Sequence, residues 1–198
     1  MKKSLIIILS VVSLLFGDRV NGWQPLHEAV FKSDMASVQK IVSDDSCDID
    51  AQSKAGISPL HIAVKTRNLA IVNYLLDHGA DVDIQDYHGY TPLHYAISQR
   101  RLKIVMALVG HDADVNLAND AGITPLQQAA YSNDFAIVDF LLDHGADPDR
   151  LNANGINACE LAYIKGNFSM AHHLLAWTHG ACGVYADELH TMKKGDKR

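Results

Sequence analysis

Apolar residues come in pairs along the middle of this chain, and the pairs are spaced for one face of a helix. Ile71-Val72 precedes Leu75-Leu76, Ile104-Val105 precedes Leu108-Val109, Ile137-Val138 precedes Leu141-Leu142, and Met170-Ala171 precedes Leu174-Leu175. Positions i, i+1, i+4 and i+5 share one wide helical face, so each group predicts a short amphipathic helix with that face toward a core. The groups recur every 33 residues. A glycine keeps the same period at Gly56, Gly89, Gly122 and Gly155, as does an alanine at Ala63, Ala96, Ala129 and Ala162.

Between glycine and alanine stand Ser58-Pro59-Leu60-His61, Thr91-Pro92-Leu93-His94, Thr124-Pro125-Leu126-Gln127 and Asn157-Ala158-Cys159-Glu160. Proline suits the first turn of a helix, where a missing N–H costs nothing and the fixed φ is already helical. The residue before it is a good N-cap, since its side-chain oxygen can accept an orphan amide. Each period therefore predicts two helices. Gly79 and Gly145 end the second helix where a left-handed residue is needed, and Asp112 fills that place less comfortably in the third repeat. An earlier copy begins at Trp23 with Gln24-Pro25-Leu26-His27-Glu28-Ala29. Pro25 and Pro59 are 34 apart, and Val38 with Ile41-Val42 places the extra residue around Ser43–Ser46.

A 33-residue period built on Thr-Pro-Leu-His-x-Ala resembles the ankyrin repeat family over residues 23–177. The resemblance implies an all-α solenoid of five helix-turn-helix repeats with short β-hairpin loops, at about 23–55, 56–88, 89–121, 122–154 and 155–182. Val184, Tyr185, Leu189 and Met192 offer a short amphipathic cap or tail at 183–198. Two departures stand out. The fifth repeat lacks Thr-Pro, as suits a terminal face that meets water, and Arg67-Asn68 and Arg100-Arg101 replace the family's usual glycine between the paired helices.

The resemblance also implies protein binding through the concave surface of loop tips and first helices. Carried over by position, the contacting residues are Gln52, Lys54 and Ile57 in the second repeat. The third gives Gln85, Tyr87, His88, Tyr90 and Gln99, and the fourth Asp120, Ile123 and Tyr131. From the residues themselves, Tyr87, His88 and Tyr90 carry most weight, because no helical core requires rings around a loop tip and exposed tyrosine anchors interfaces well. Tyr95 and Tyr131 extend that patch. The alternative is that these rings pack between neighbouring loops and stiffen the array.

Charge narrows the partner. A formal charge of −6 argues against a nucleic-acid backbone, which needs Lys and Arg to displace counterions. The expected partner is another protein, the expected state a monomer. The first 22 residues differ from the rest: Lys2-Lys3 precedes an uncharged 12-residue run, Leu5 to Phe16. That reads as a secretory signal and is too short to span a bilayer. Export to a periplasm or beyond is the expectation, a retained anchor the alternative.

Eleven histidines invite a metal reading. His27, His61 and His94 sit on the repeat's own histidine position, where the resemblance implies hydrogen bonds to neighbouring loops. His78, His111 and His144 recur one repeat apart just before each cap, too distant to share an ion at Zn–N bonds of about 2.0 Å. His172, His173 and His179 with Cys182 form the one cluster left, and a metal-dependent protein built on it is the minor alternative. Of the three cysteines, Cys47 and Cys159 read as small core residues at alanine and leucine positions, and Cys182 as a reactive or intermolecular thiol. The chain has no G-x-S-x-G, H-E-x-x-H, P-loop or G-x-G-x-x-G. Neither catalytic residues nor a cofactor are therefore expected. Asn167-Phe168-Ser169 is a glycosylation sequon. The reading is a non-enzymatic interaction module acting outside the cytoplasm, with an inhibitor or protective partner of an exported enzyme as the second form of that reading.

Overall fold

The computed structural model describes residues 22–178 together with Cys182. Residues 1–21, where an export signal is expected, the cap or tail expected at 183–198, and His179 lie outside the described residues. Ten helices fall within them, in five pairs. The pairs are α1 (Pro25–Phe31) with α2 (Met35–Val42), α3 (Pro59–Lys65) with α4 (Leu69–Asp77), α5 (Pro92–Ser98) with α6 (Leu102–Gly110), α7 (Pro125–Tyr131) with α8 (Phe135–Asp143), and α9 (Ala158–Ile164) with α10 (Phe168–Leu174). First helices stack on first helices, and α4, α6 and α8 follow one another behind them.

The first helices begin as the sequence predicts. Ser58, Thr91, Thr124 and Asn157 each accept the amide of the residue three places on, and that residue's side chain accepts the cap's own amide. Two orphan donors are satisfied at each start. The paired apolar residues of the second helices are buried: Ile71, Val72, Leu75 and Leu76 in α4 and Ile137, Val138, Leu141 and Leu142 in α8. With Leu60, Leu93, Leu126 and the repeated alanines they make one continuous core. Small alanines on the first helices let neighbouring repeats approach closely.

The turns within the first four helix pairs have a left-handed residue without the benefit of glycine: Ser33, Arg67, Arg100 and Asn133 all have φ between 55° and 61°, and only the fifth turn uses glycine, at Gly166. Asp112, in the cap position, has φ 65°. Where the backbone of the next repeat presses in, glycine is obligatory. A Cβ on Gly89 would meet Asp120 N at 2.6 Å, and one on Gly56 would meet Tyr87 N at 2.5 Å. Gly155 has a similar φ but, among the described residues, nothing within 4 Å of that position.

The cysteines are arranged differently from the sequence expectation. Cys159 and Cys182 form an intrachain disulfide, Cα atoms 5.4 Å apart, and both are fully buried. Cys159 occupies a leucine site in the repeat register, and a lone cysteine underfills it. The chain beyond α10 returns to the last repeat and supplies a second sulfur, so Cys182 is not a reactive or intermolecular thiol. Cys47 is the free cysteine and is half-buried, beside a groove of about 640 Å³ between α1, α2 and the loop that carries the extra residue. Burial pushes its thiol pKa up, which makes it a poor nucleophile.

Substitution at the two glycines separates loop contact from backbone strain. Gly155→Ala is expected to cost about 1 kcal/mol for the left-handed φ alone, and Gly89→Ala about 2–4 kcal/mol because the Asp120 loop must also shift; urea titration of both variants reads the difference, and equal costs would mean the loops are not in contact. Closing a loop of 23 residues gives the disulfide a stabilisation of about 3 kcal/mol in the chain-entropy account. Reduction is thus expected to lower the melting temperature by several degrees, measured by calorimetry with and without dithiothreitol.

Candidate functional site

Each loop tip is templated by one side chain. Asp86 Oδ1 accepts the amides of His88 and Tyr90 at 2.8 and 3.0 Å. Asn119 does the same for Ala121 and Ile123, and Asn152 for Asn154 and Ile156; in the second repeat the Ser53 hydroxyl serves Ala55 and Ile57. The tips also close on themselves in hairpin fashion, as when Asp86 N donates to Tyr90 O. Among the described residues they form turns rather than strands. Single bonds then link tip to tip: Tyr87 N to Ala55 O, Asp120 N to His88 O, and Ala153 N to Ala121 O.

Below the tips runs a line of imidazoles. His61 Nδ1 accepts the Ser58 amide, and its Nε2 lies 3.0 Å from the carbonyl of Tyr90 in the next repeat. His27 reaches Ile57 O and His94 reaches Ile123 O, both also at 3.0 Å. Accepting at Nδ1 and donating at Nε2 requires the neutral ring. Burial lowers the pKa of all three below the ordinary histidine value, more than their bonds to loop carbonyls raise it. In the fourth repeat Gln127 does the same work without a titratable group, donating to Arg150 O and Ile156 O.

The positions expected to touch a partner divide into two sorts. Gln52 and Gln85 are exposed, yet each side-chain amide is a stitch: Gln52 donates to Gly56 O and Gln85 O, and Gln85 to Gly89 O and Ala118 O. Tyr90 is half-buried, its ring edge-on to His94 and to Tyr95, and Gln99 receives a bond from Arg67 Nε. Ile57 and Ile123 are half-buried, whereas Lys54, His88 and Asp120 are exposed. Tyr87 is 63% exposed at its tip, and Tyr131 is 46% exposed at the end of α7 under the Lys165 ammonium. The rings therefore differ in degree: Tyr90 and Tyr95 pack between repeats, whereas Tyr87 rests one ring edge over Gly56 of the preceding tip and leaves the rest of the ring exposed.

A network that the sequence reading missed holds the Tyr87 loop. The Tyr95 hydroxyl donates to Asp86 Oδ2 at 2.7 Å. Burial works to raise the Asp86 carboxyl, but this hydroxyl and the amides of His88 and Tyr90 outweigh it and hold it below the usual carboxylate range. Burial and the same carboxylate push the Tyr95 phenol well above its ordinary value. The signal was present in the sequence: Asp86 alternates with Ser53, Asn119 and Asn152 in register, and Tyr95 lies one turn into the helix that follows the tip.

Among the described residues no three His, Cys, Asp or Glu side chains stand where they could hold a metal ion. The expected C-terminal cluster loses its sulfur ligand to the disulfide, and His173 is hydrogen-bonded to Asp139 of the preceding repeat. His78 and His144 cap their helices instead, His78 stacked on Tyr74 and His144 tilted against Phe140, each ring 4.0 Å from its partner. The Asn167 side-chain amide donates to Ala130 O and Tyr131 O, so a glycan on that nitrogen would break the tie between the last two turns. Among the described residues no helix is long and apolar enough to cross a membrane.

Family models agree with this architecture. Ankyrin repeats (3 copies) match residues 26–119, and ankyrin repeats (many copies) match residues 126–175. The chain belongs to the ankyrin repeat family. No curated protein matches it in sequence. Ankyrin repeats are protein–protein interaction modules, and the array is one by membership.

The histidines make this ankyrin array acid-sensitive. Their folded pKa values lie below the unfolded value of 6.5, so as pH falls through 6.5 the unfolded chain takes up protons first. Stability from these rings is therefore expected to be fully present well above 6.5 and to fall as pH drops through it, by at most about 1.4 kcal/mol per pH unit for each neutral imidazole and only until its folded pKa is reached. His94→Gln, which copies Gln127, is expected to retain stability at pH 7.5 and to remove one histidine's share of the loss at pH 6, measured by urea denaturation at both values.

Proposed function

We propose that this chain docks another polypeptide through its loop tips and first helices, outside the cytoplasm, and performs no chemistry of its own. The observation that carries the reading is Tyr87, a ring 63% exposed on a tip whose backbone is fixed on three sides. Asp86 templates the loop, Tyr95 braces Asp86, and Ala55 O of the preceding tip accepts the Tyr87 amide. A large ring on a rigid support loses little entropy on binding, which is what an interface anchor requires. Lys54, His88 and Asp120 surround it as a polar rim.

Two features support an extracytoplasmic site of action. The basic start and apolar run of residues 2–16 have the form of an export signal. A buried structural disulfide belongs with oxidising compartments, since cytosolic thiols are kept reduced. A protective or inhibitory role toward an exported enzyme is a special case of the same docking.

Tyr87→Ala is expected to weaken capture of the partner on the order of tenfold or more while keeping the melting temperature within about a few degrees of the wild type, since only one ring edge packs on Gly56. Tyr90→Ala, which empties a packed site, is expected to lower the melting temperature instead. Crosslinking pull-down from the native extracytoplasmic fraction, paired with calorimetry, reads both. Undiminished capture by Tyr87→Ala would end the assignment of the loop-tip surface.

A further inference from the structure

The edge where each first helix turns into the second shares Gln99 and Tyr131 with the expected contact surface but carries a pattern that the Tyr87 tip does not use. In the second and third repeats this edge runs Lys65-Thr66-Arg67-Asn68 and Gln99-Arg100-Arg101-Leu102-Lys103, five cations without an acid. The chain as a whole is at −6, and acids such as Asp77, Asp81, Asp112, Asp114 and Asp147 gather at the far ends of the second helices and the loops beyond; on the edge itself Asp34 and Asp134 stand in the turns of the first and fourth repeats, where each caps a second helix with its carboxylate. Lys65, Arg67, Arg100 and Lys103 are all exposed. A basic strip on an acidic molecule is a local feature that composition conceals.

The strip is held straight by ties from turn to turn. Arg67 Nε donates to Gln99 Oε1 at 3.0 Å, the Arg100 guanidinium donates to the Ser132 carbonyl, and Asn167 donates to the Tyr131 carbonyl at 3.2 Å. Along these ties the edge changes character. Tyr131, Phe135, Ile164 and Phe168 are 46%, 37%, 57% and 43% exposed, on consecutive turns of the last two repeats. Lys165 lies 4.3 Å from the Tyr131 ring, at the end of the charged section. Exposed large apolar groups gathered in one place mark contact surfaces.

We propose that this ledge is a second docking track, for a polypeptide segment in which a run of Asp and Glu adjoins apolar side chains. Carboxylates of the segment lie over Arg67 and Arg100, whose guanidinium forks suit them, and its apolar residues cover Tyr131, Phe135, Ile164 and Phe168. Complementary charge steers the encounter, and burial of the apolar half holds it. A phosphate backbone offers nothing to cover the apolar half and is repelled by the acids elsewhere. The track rests on the array's being an interaction module but not on Tyr87.

Fluorescein-labelled synthetic peptides test this by anisotropy on the full-length protein at low and moderate salt. One peptide joins an Asp/Glu block to a Leu/Phe block, a second has Lys in place of the acids, a third has Ser in place of the apolar residues, and a single-stranded DNA oligonucleotide serves as the polyanion. The first is expected to bind saturably, more weakly as salt rises. Arg67→Glu with Arg100→Glu is expected to weaken it on the order of tenfold or more. Should that pair lose its fold by circular dichroism, Lys65→Glu with Lys103→Glu, outside the turn-to-turn ties, makes the same measurement. The third peptide is expected to bind less well, and Tyr87→Ala to bind the first peptide as the wild type does. Absence of saturable binding, indifference to charge reversal, equal binding of the Lys peptide, or stronger binding of the oligonucleotide would overturn the proposal. Loss of peptide binding in Tyr87→Ala would overturn it too, since the two surfaces would then be one.

Discussion

One hydrogen bond sets the pitch of the whole array: a neutral imidazole, or the amide that replaces it, reaching from the start of one repeat to a loop carbonyl of the next. It does two things at once. Nδ1 completes the helix cap of its own repeat while Nε2 fixes the distance to the neighbour. A cap that doubles as a spacer cannot be formed by a repeat alone. Local structure and stacking are thereby one event, which is why apolar faces of only a few residues suffice to build a core across five pairs of short helices. Gln127 shows that the requirement is for an acceptor and a donor in this geometry, not for a charge.

Everything above the imidazole line inherits its regularity. Loop tips lie close enough for one backbone bond each, and glycine is imposed where the next loop crosses. The second line of stitches, Gln52 and Gln85, uses the same carbonyl-rich edge. Rigidity at the tips is therefore distributed, and Tyr87 stands on it mostly exposed, with one ring edge resting over Gly56 of the preceding tip.

The period, helix starts and core were legible because each rests on residues adjacent in sequence and repeated in register. Pro59, Pro92 and Pro125 announce helix starts, and the paired aliphatics announce the buried face. What was not legible depends on the third dimension. Tyr90 and Tyr87 flank the same tip and look alike in sequence, but the tip directs one ring to His94 and the other to solvent. Gln52 recurs at Gln85, a hint of structural duty that position alone cannot distinguish from exposure. Cys182 gave no signal of its mate, because its pairing is decided by where the chain goes after the last repeat.

The disulfide makes the two ends of the array unequal. At one end, the first repeat has a loop with an extra residue beside an open groove; at the other, a covalent clasp joins the final helical pair to the chain that follows. Unzipping under heat or mechanical load therefore has a polarity. The clasp favours an order that starts from the helical pairs without a covalent tie and runs toward Cys159, so the carboxyl-terminal aromatic ledge is expected to be the last surface lost as the rest of the stack opens.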